Sequence, residues 1–160
     1  MKSPKHFVIS TLVSMAALTA GSTIAHADAG HSHSGHAASI GKPGKASQVT
    51  RTVNVDMTDN MRFTPAKIEV KKGETIKFLV KNSGQVRHEM VLGSVAELKA
   101  HAEQMRKHPE MEHDDPNQVQ VDPGKTGQFI WKFANAGTFD FACLQPGHFE
   151  AGMAGKVAVK

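Results

Sequence analysis

The amino-acid sequence predicts an all-β fold, a β-sandwich with one helical insertion between its strands. The first observation is that short segments of alternating apolar and polar residues end at turn-forming residues, as Ile76, Phe78 and Val80 do before Asn82. The second is that one segment, residues 94–107, repeats its apolar residues at helical spacing instead. The third is the length of 160 residues, which suffices for one domain with a hydrophobic core. Short strands separated by turns are typical of β-sandwiches.

The predicted strands follow one another from about residue 48 to the end of the chain. Val49, Val53 and Val55 support the first strand, and a Lys-Gly pair and a Pro-Gly pair mark turns between later ones. The later strands are predicted at 67–70, 75–81, 88–92, 119–121, 128–133, 139–143 and 156–160.

One helix is predicted within an insertion that spans about residues 94–117. Ser94 can cap this helix, and Glu97 stands three residues later, as a capping box requires. The helix is expected to end by Pro109, because proline does not continue a helix. The residues that recur at helical spacing are Val95, Leu98, Ala102 and Met105.

Residues 1–27 have the features of a secretory signal peptide. Two lysines precede an apolar run at residues 7–20, and small residues on both sides of His26 suit a cleavage site. The alternative is a membrane anchor, but the run is too short to span a bilayer. We therefore expect export to the periplasm, cleavage near Ala27 and no membrane span in the mature form.

Residues 28–47 are expected to form a flexible, histidine-rich tail before the globular domain, which is predicted at 48–160. The tail is rich in glycine, alanine and serine, a composition that cannot build a core. Its closely spaced His31, His33 and His36 could chelate Cu²⁺. The alternative is a plain leader whose histidines bind nothing.

Charge and cysteine content exclude some functions. The net charge is +4, and removal of Lys2 and Lys5 with the leader leaves 17 basic against 15 acidic residues. Such a weak positive charge gives no reason to expect nucleic-acid binding. The single cysteine excludes an internal disulfide, and metal ligation would explain an unpaired thiol in an exported protein.

The motif that points to function is FDFACLQPGHFEAGM at residues 139–153. It holds Cys143, then His148 five residues later and Met153 five residues after that. Alternation before the cysteine predicts a strand that leads into the motif, and a Pro-Gly pair predicts a turn inside it. Each residue alone could be structural. Together with one more histidine, they form the donor set of a mononuclear copper electron-transfer site.

The missing donor must be another histidine, and His88 is the best placed. It begins a predicted strand of the framework, directly after the turn-rich segment that starts at residue 82. The histidines of the tail lack a rigid support, and those of the insertion lie outside the strands. These competing residues are His31, His33, His36, His101, His108 and His113.

Taken together, these residues resemble the cupredoxins, the type 1 copper proteins, over about residues 48–160. The resemblance rests on the run KFLVKN at 77–82, on the histidine after it, and on the Cys-x4-His-x4-Met spacing of the motif. It implies a Greek-key β-sandwich with copper at one end. The implied ligands are His88, Cys143 and His148 in the equatorial plane and Met153 on the axis.

The chain departs from the family pattern at one residue and from a minimal electron carrier in two further features. Members of the family often have asparagine after the first histidine, where this chain has Glu89. The helical insertion and the histidine-rich tail are the other two. With them, the chain looks more like the periplasmic cupredoxins of bacterial copper tolerance.

The insertion carries a second candidate copper site. His101, Met105 and His108 are spaced to share one helical face, and Met111 and His113 follow just beyond. Mixed histidine and methionine donors suit copper in either oxidation state. The alternative is that Met105 packs in the core while the histidines face solvent.

Three functions remain as hypotheses. The first is a copper-handling protein of the periplasm that supports copper tolerance, and the second is a soluble electron carrier with a redox partner protein. The third, an enzyme, is the weakest, because a site with four protein ligands has no open position for a substrate. We expect a monomeric copper-binding protein that is not an enzyme.

Overall fold

The computed structural model describes residues 40–108 and 114–160, which form a sandwich of two five-stranded sheets with one α-helix. Helix α1 spans Val95–Lys107, and a short 3-10 helix covers Ala46–Gln48. Strands β1 to β10 are, in chain order, Gly41–Pro43, Arg51–Thr58, Arg62–Thr64, Lys67–Val70, Thr75–Asn82, His88–Gly93, Gln118–Val121, Thr126–Phe133, Gly137–Ala142 and Ala154–Val159.

The two sheets enclose the main core, which confirms the predicted sandwich with a helical insertion. One sheet has the order β1-β8-β5-β2-β3 and the other β4-β10-β9-β6-β7. Strand β2 pairs parallel with β5 and β4 with β10, while the other neighbours are antiparallel. Phe78 stacks on Phe129 within the first sheet, with ring centroids 4.8 Å apart. Phe63 of the first sheet meets Phe141 of the second edge-on at 5.0 Å.

The register of β6 and β9 decides which residues meet at one end of the sandwich. Strand β6 lies between β9 and β7 and is buried along its whole length. Val91 of β6 stands opposite Ala142, the last residue of β9. Because the two strands are antiparallel, the start of β6 and the end of β9 lie side by side.

Helix α1 begins at the predicted capping box. The Glu97 N–H donates to Oγ of Ser94, and the Ser94 N–H donates back to the Glu97 carboxylate at 2.7 Å. None of the helices in the described ranges is long and apolar enough to cross a membrane. The inner face of the helix joins a second buried cluster, made of Val91, Leu98, Ala102, Met105, Ala142 and Leu144.

The domain begins before the boundary predicted at residue 48. Ile40 is 0% exposed in the main core, and β1 pairs with β8 so that Gly41 stands opposite Phe133. The expectation that residues 28–47 contribute nothing to the core is therefore wrong from Ile40 onward. Ile40 is the only large apolar side chain in that polar segment, so composition did not reveal it. The predicted signal peptide and the tail histidines lie outside the described residues.

Candidate metal centre

Three of the predicted ligands converge where β6 begins and β9 ends. Their donor atoms, Nδ1 of His88, Sγ of Cys143 and Nδ1 of His148, lie within 4.8 Å of one another. The sulfur is 3.2 Å from Nδ1 of His148 and 3.9 Å from Nδ1 of His88, and the two nitrogens are 3.2 Å apart. One thiol and two imidazoles that face a common point fit the equatorial donors of a copper ion.

Secondary structure places each of these donors. His88 is the first residue of β6, and Cys143 directly follows β9, the strand that neighbours β6. His148 lies in the loop after β9, where its N–H donates to the carbonyl of Gln145 at 2.9 Å. His88 and Cys143 are buried, and His148 is half-buried. The centre therefore has one side near solvent and the rest inside the protein.

Met153 is fully buried and closes the ligand loop. Its N–H donates to the carbonyl of His148 at 3.0 Å, and its own carbonyl accepts the N–H of Cys143 at 3.1 Å. Gly147 and Gly152, with φ of 86° and 87°, give the loop the left-handed turns that it needs. The backbone thus links Met153 directly to Cys143 and His148, the other two predicted ligands of the loop.

Glu89 joins the two ligand-bearing segments, a role that the sequence analysis did not identify. Its N–H donates to Sγ of Cys143 at 3.4 Å, and its Oε1 accepts the N–H of Leu144 at 2.9 Å. The Oε2 atom accepts side-chain N–H groups of Gln120 at 3.2 Å and Gln145 at 3.4 Å. Where members of the family that the sequence resembles often have asparagine, this chain ties the segments together through a carboxylate.

Asp59 contacts the far edge of the His88 ring and was also missed. It lies between β2 and β3, and its Oδ1 is 3.1 Å from Nε2 of His88. The hydrogen bond from the Gln85 N–H, followed by that from His88, lowers the pKa of Asp59. No spacing rule in the sequence connects a turn aspartate to a histidine on a later strand.

Burial controls the protonation of the ligands in the metal-free protein. Burial raises the pKa of the Cys143 thiol to about 12; the Glu89 N–H opposes this shift, and the charge of the Glu89 carboxylate adds to it. Burial, and then the nearby His88, lowers the pKa of His148, which keeps that imidazole neutral and able to bind metal. A bound cation supplies the positive charge that a buried thiolate needs.

In the second candidate site, in helix α1, one predicted donor is buried in the hydrophobic core. Met105 is 1% exposed and packs with Leu98 and Leu144, which confirms the alternative interpretation of this methionine. His101 is half-buried, and His108 is exposed at the C-terminal end of the helix. Within the described ranges, the donor group around Cys143 is the one cluster of three or more His, Cys, Asp or Glu that could hold a metal. Copper binding remains a prediction for His101 and His108, and for Met111, His113, His31, His33 and His36, which lie outside the described residues.

The sandwich and its Cys, His and Met residues define a cupredoxin with a type 1 copper site. The chain belongs to the plastocyanin/azurin family of copper-binding proteins, whose family model matches residues 48–160. Copper is therefore the metal of this centre. The clustered donors of His88, Cys143 and His148 would hold it, with Met153, buried in the same loop, as the fourth predicted ligand.

Curated relatives are similar over most of the chain. The copper-resistant cuproprotein CopI of Rubrivivax gelatinosus is 52% identical over 158 residues, which covers 93% of this chain and 94% of that protein. The CopI protein of Pseudomonas aeruginosa is 36% identical and covers 78% of this chain and 84% of its own length. The CopI protein of Vibrio cholerae is also 36% identical, over 71% of this chain and 68% of its own.

Solved structures share the fold at lower identity. Auracyanin B superposes with a TM-score of 0.64 at 21% identity and covers 76% of this chain and 96% of its own. The azurin Az-iso2 of Methylomonas sp. strain J has a TM-score of 0.58 at 17% identity, with 70% and 99% coverage. At such identities, these structures support the cupredoxin fold and nothing finer.

Proposed function

We propose that the chain is an exported, periplasmic cupredoxin that cycles bound copper between Cu(I) and Cu(II) and thereby supports copper resistance. The observation that carries the proposal is the buried thiol of Cys143, placed between two imidazoles that face the same point. Relatives that cover most of this chain are described as copper-resistant cuproproteins, which supports the resistance role.

The redox part of the proposal is supported by how the ligands are held. Hydrogen bonds of the backbone and of Glu89 fix the ligand segments without help from the metal. Cu(I) and Cu(II) prefer different geometries, so a site that the protein holds in one arrangement rearranges little on electron transfer. The half-buried ring of His148 gives the electron a route to the surface.

A second candidate is a soluble carrier that passes electrons between periplasmic redox enzymes. The same half-buried His148 favours it, because a partner protein could dock where the ring reaches the surface. In either role the protein acts by binding copper and moving electrons. Four protein donors leave no open position at the metal for a substrate, so we infer that it is not an enzyme.

Growth in copper tests the proposal. A bacterial strain that lacks this protein would be complemented with the wild type or with Cys143→Ser, and the amounts in the periplasmic fraction would be matched. We expect the wild type to restore growth in raised copper and Cys143→Ser to fail. Equal rescue by both would show that resistance does not use this centre. If neither protein restores growth in copper, and the strain without the protein also loses turnover of a periplasmic redox enzyme, the electron carrier is favoured.

A further inference from the structure

We propose that Asp59 is a positioning residue of the copper centre. Its carboxylate holds the His88 ring with Nδ1 toward the metal, and its negative charge favours Cu(II) over Cu(I). This assigns a role to a residue outside the four ligands.

The contact fixes which nitrogen of His88 is free. Nε2 faces Oδ1 of Asp59 at 3.1 Å, while Nδ1 faces Cys143 and His148. An ionised carboxylate only accepts hydrogen bonds, so Nε2 must carry the ring proton. The lone pair of Nδ1 is then directed into the centre. A carboxylate bonded in this way both fixes the ring and raises the basicity of a metal-bound histidine.

Asp59 is itself held in place. Its Oδ2 accepts the N–H of Gln85 at 2.7 Å, and its Oδ1 accepts the N–H of Val86 at 3.4 Å. Buried Asn82 fixes the same loop, since its Oδ1 accepts the N–H of Gly84 at 2.9 Å. A side chain at Gly84 would overlap the Asp59 carboxylate, so the glycine leaves open the space that this carboxylate occupies.

The burial of the two partners determines how strongly this charge can act. The Asp59 side chain is 39% exposed, and an exposed carboxylate alone would be screened by solvent. The His88 side chain is 0% exposed, however, and its ring links the carboxylate to the metal site. The negative charge stabilises the more positive copper ion, so its loss must shift the balance toward Cu(I) and raise the reduction potential.

The test is a redox titration of the copper-loaded mature protein and its Asp59→Asn variant, which keeps the shape of the side chain and removes its charge. We expect the preference for Cu(II) over Cu(I) to fall about tenfold, which is a rise of about 59 mV for a one-electron couple. The matched control is Asp56→Asn. Asp56 carries the same charge and accepts a bond from Oγ of Ser83 in the same loop at 2.6 Å. We expect this control to shift the potential much less.

A second variant and a metal-free measurement separate positioning from charge. Gly84→Ala keeps the charge but displaces the carboxylate, so we expect its potential to rise as well. In the metal-free protein, nitrogen-15 NMR should show His88 protonated at Nε2, and Asp59→Ala should add the Nδ1-protonated form. If Asp59→Asn does not bind copper, the potential of Gly84→Ala and the NMR tautomer of His88 test the proposal in its place. Equal shifts in Asp59→Asn and Asp56→Asn, an unchanged potential in Gly84→Ala, or an Nδ1 proton in the wild type would overturn the proposal.

Discussion

The N–H of Leu144 donates a hydrogen bond of 2.9 Å to Oε1 of Glu89, inside the sandwich. Glu89 follows the ligand His88, and Leu144 follows the ligand Cys143, so this bond connects the neighbours of two ligands on different strands. Glu89 is 1% exposed and also accepts hydrogen bonds from two glutamine side chains. A buried carboxylate therefore holds the two segments together in the metal-free protein.

Removal of this carboxylate should destabilise the metal-free protein. In Glu89→Ala the buried N–H of Leu144 loses its acceptor, which should cost about 1–3 kcal/mol. Glu89→Gln keeps an oxygen for Leu144 and should cost less. Urea unfolding of the three proteins measures the difference. Equal stability of the alanine variant and the wild type would show that this bond is not needed.

Copper loading should release one proton per chain at pH 8. The pKa of Cys143 is raised to about 12, so the metal-free protein holds a neutral thiol at this pH, and copper must displace its proton. Ordinary imidazoles are already neutral at pH 8, so their coordination to copper adds no released proton. Calorimetric titration with Cu²⁺ in buffers of different ionisation enthalpy counts the protons. Cys143→Ser should release none, and equal release by both proteins would contradict the assignment.

Sequence reasoning found the parts of the centre that lie close together along the chain. Cys143, His148 and Met153 share one loop, so their spacing alone reveals them, and His88 followed as the histidine that begins a framework strand. Asp59 and Glu89 reach their partners only because strand pairing brings distant segments together. Such contacts depend on register, which the motif does not contain.

The burial of two single apolar side chains could not be predicted from the sequence. Ile40 stands alone in a polar segment, and only the pairing of β1 with β8 reveals why it is buried. Met105 shares its helical face with histidines, and the spacing could not show whether that face meets the sheet or the solvent. The structure shows that Met105 lies on the face of the helix that packs against the sheet, in a buried cluster with Val91, Ala142 and Leu144.

Truncation of Met105 should therefore affect stability and leave the copper centre intact. Met105→Ala removes a fully packed side chain and should cost about 2–5 kcal/mol. The matched control, His108→Ala, removes an exposed side chain of the same helix and should change stability by less than about 0.5 kcal/mol. Thermal unfolding and the visible spectrum of both variants provide the measurements. Bleaching of the colour in either variant would mean that the helix contributes a ligand.

Two deletions should separate the tail from the fold. Removal of residues 28–39 leaves Ile40 and β1 in place, so the unfolding midpoint should not change. Removal of residues 28–47 also takes away the buried Ile40 side chain, whose burial stabilises the fold by about 1.5–3 kcal/mol. Urea unfolding of the two variants tests this boundary, and equal midpoints would show that β1 contributes little.

The shorter deletion also tests copper binding by the tail. Loss of His31, His33 and His36 should remove one weaker Cu²⁺ site and leave the coloured site unchanged. That weaker site should fade below about pH 6, because imidazoles must be neutral to bind metal. Copper titration followed by electron paramagnetic resonance measures both sites. Identical stoichiometry and spectra before and after the deletion would exclude the tail from copper handling.

The central claim is that Cys143, two histidines and Met153 form a type 1 copper centre. Its most direct test is the visible absorption spectrum of the mature protein loaded with one equivalent of Cu²⁺. We predict intense thiolate-to-copper absorption that makes the protein blue or green. Cys143→Ser and His88→Ala should abolish this absorption, and Met153→Leu should retain it because the axial bond is weak. A wild-type protein that binds copper and stays colourless would contradict the claim.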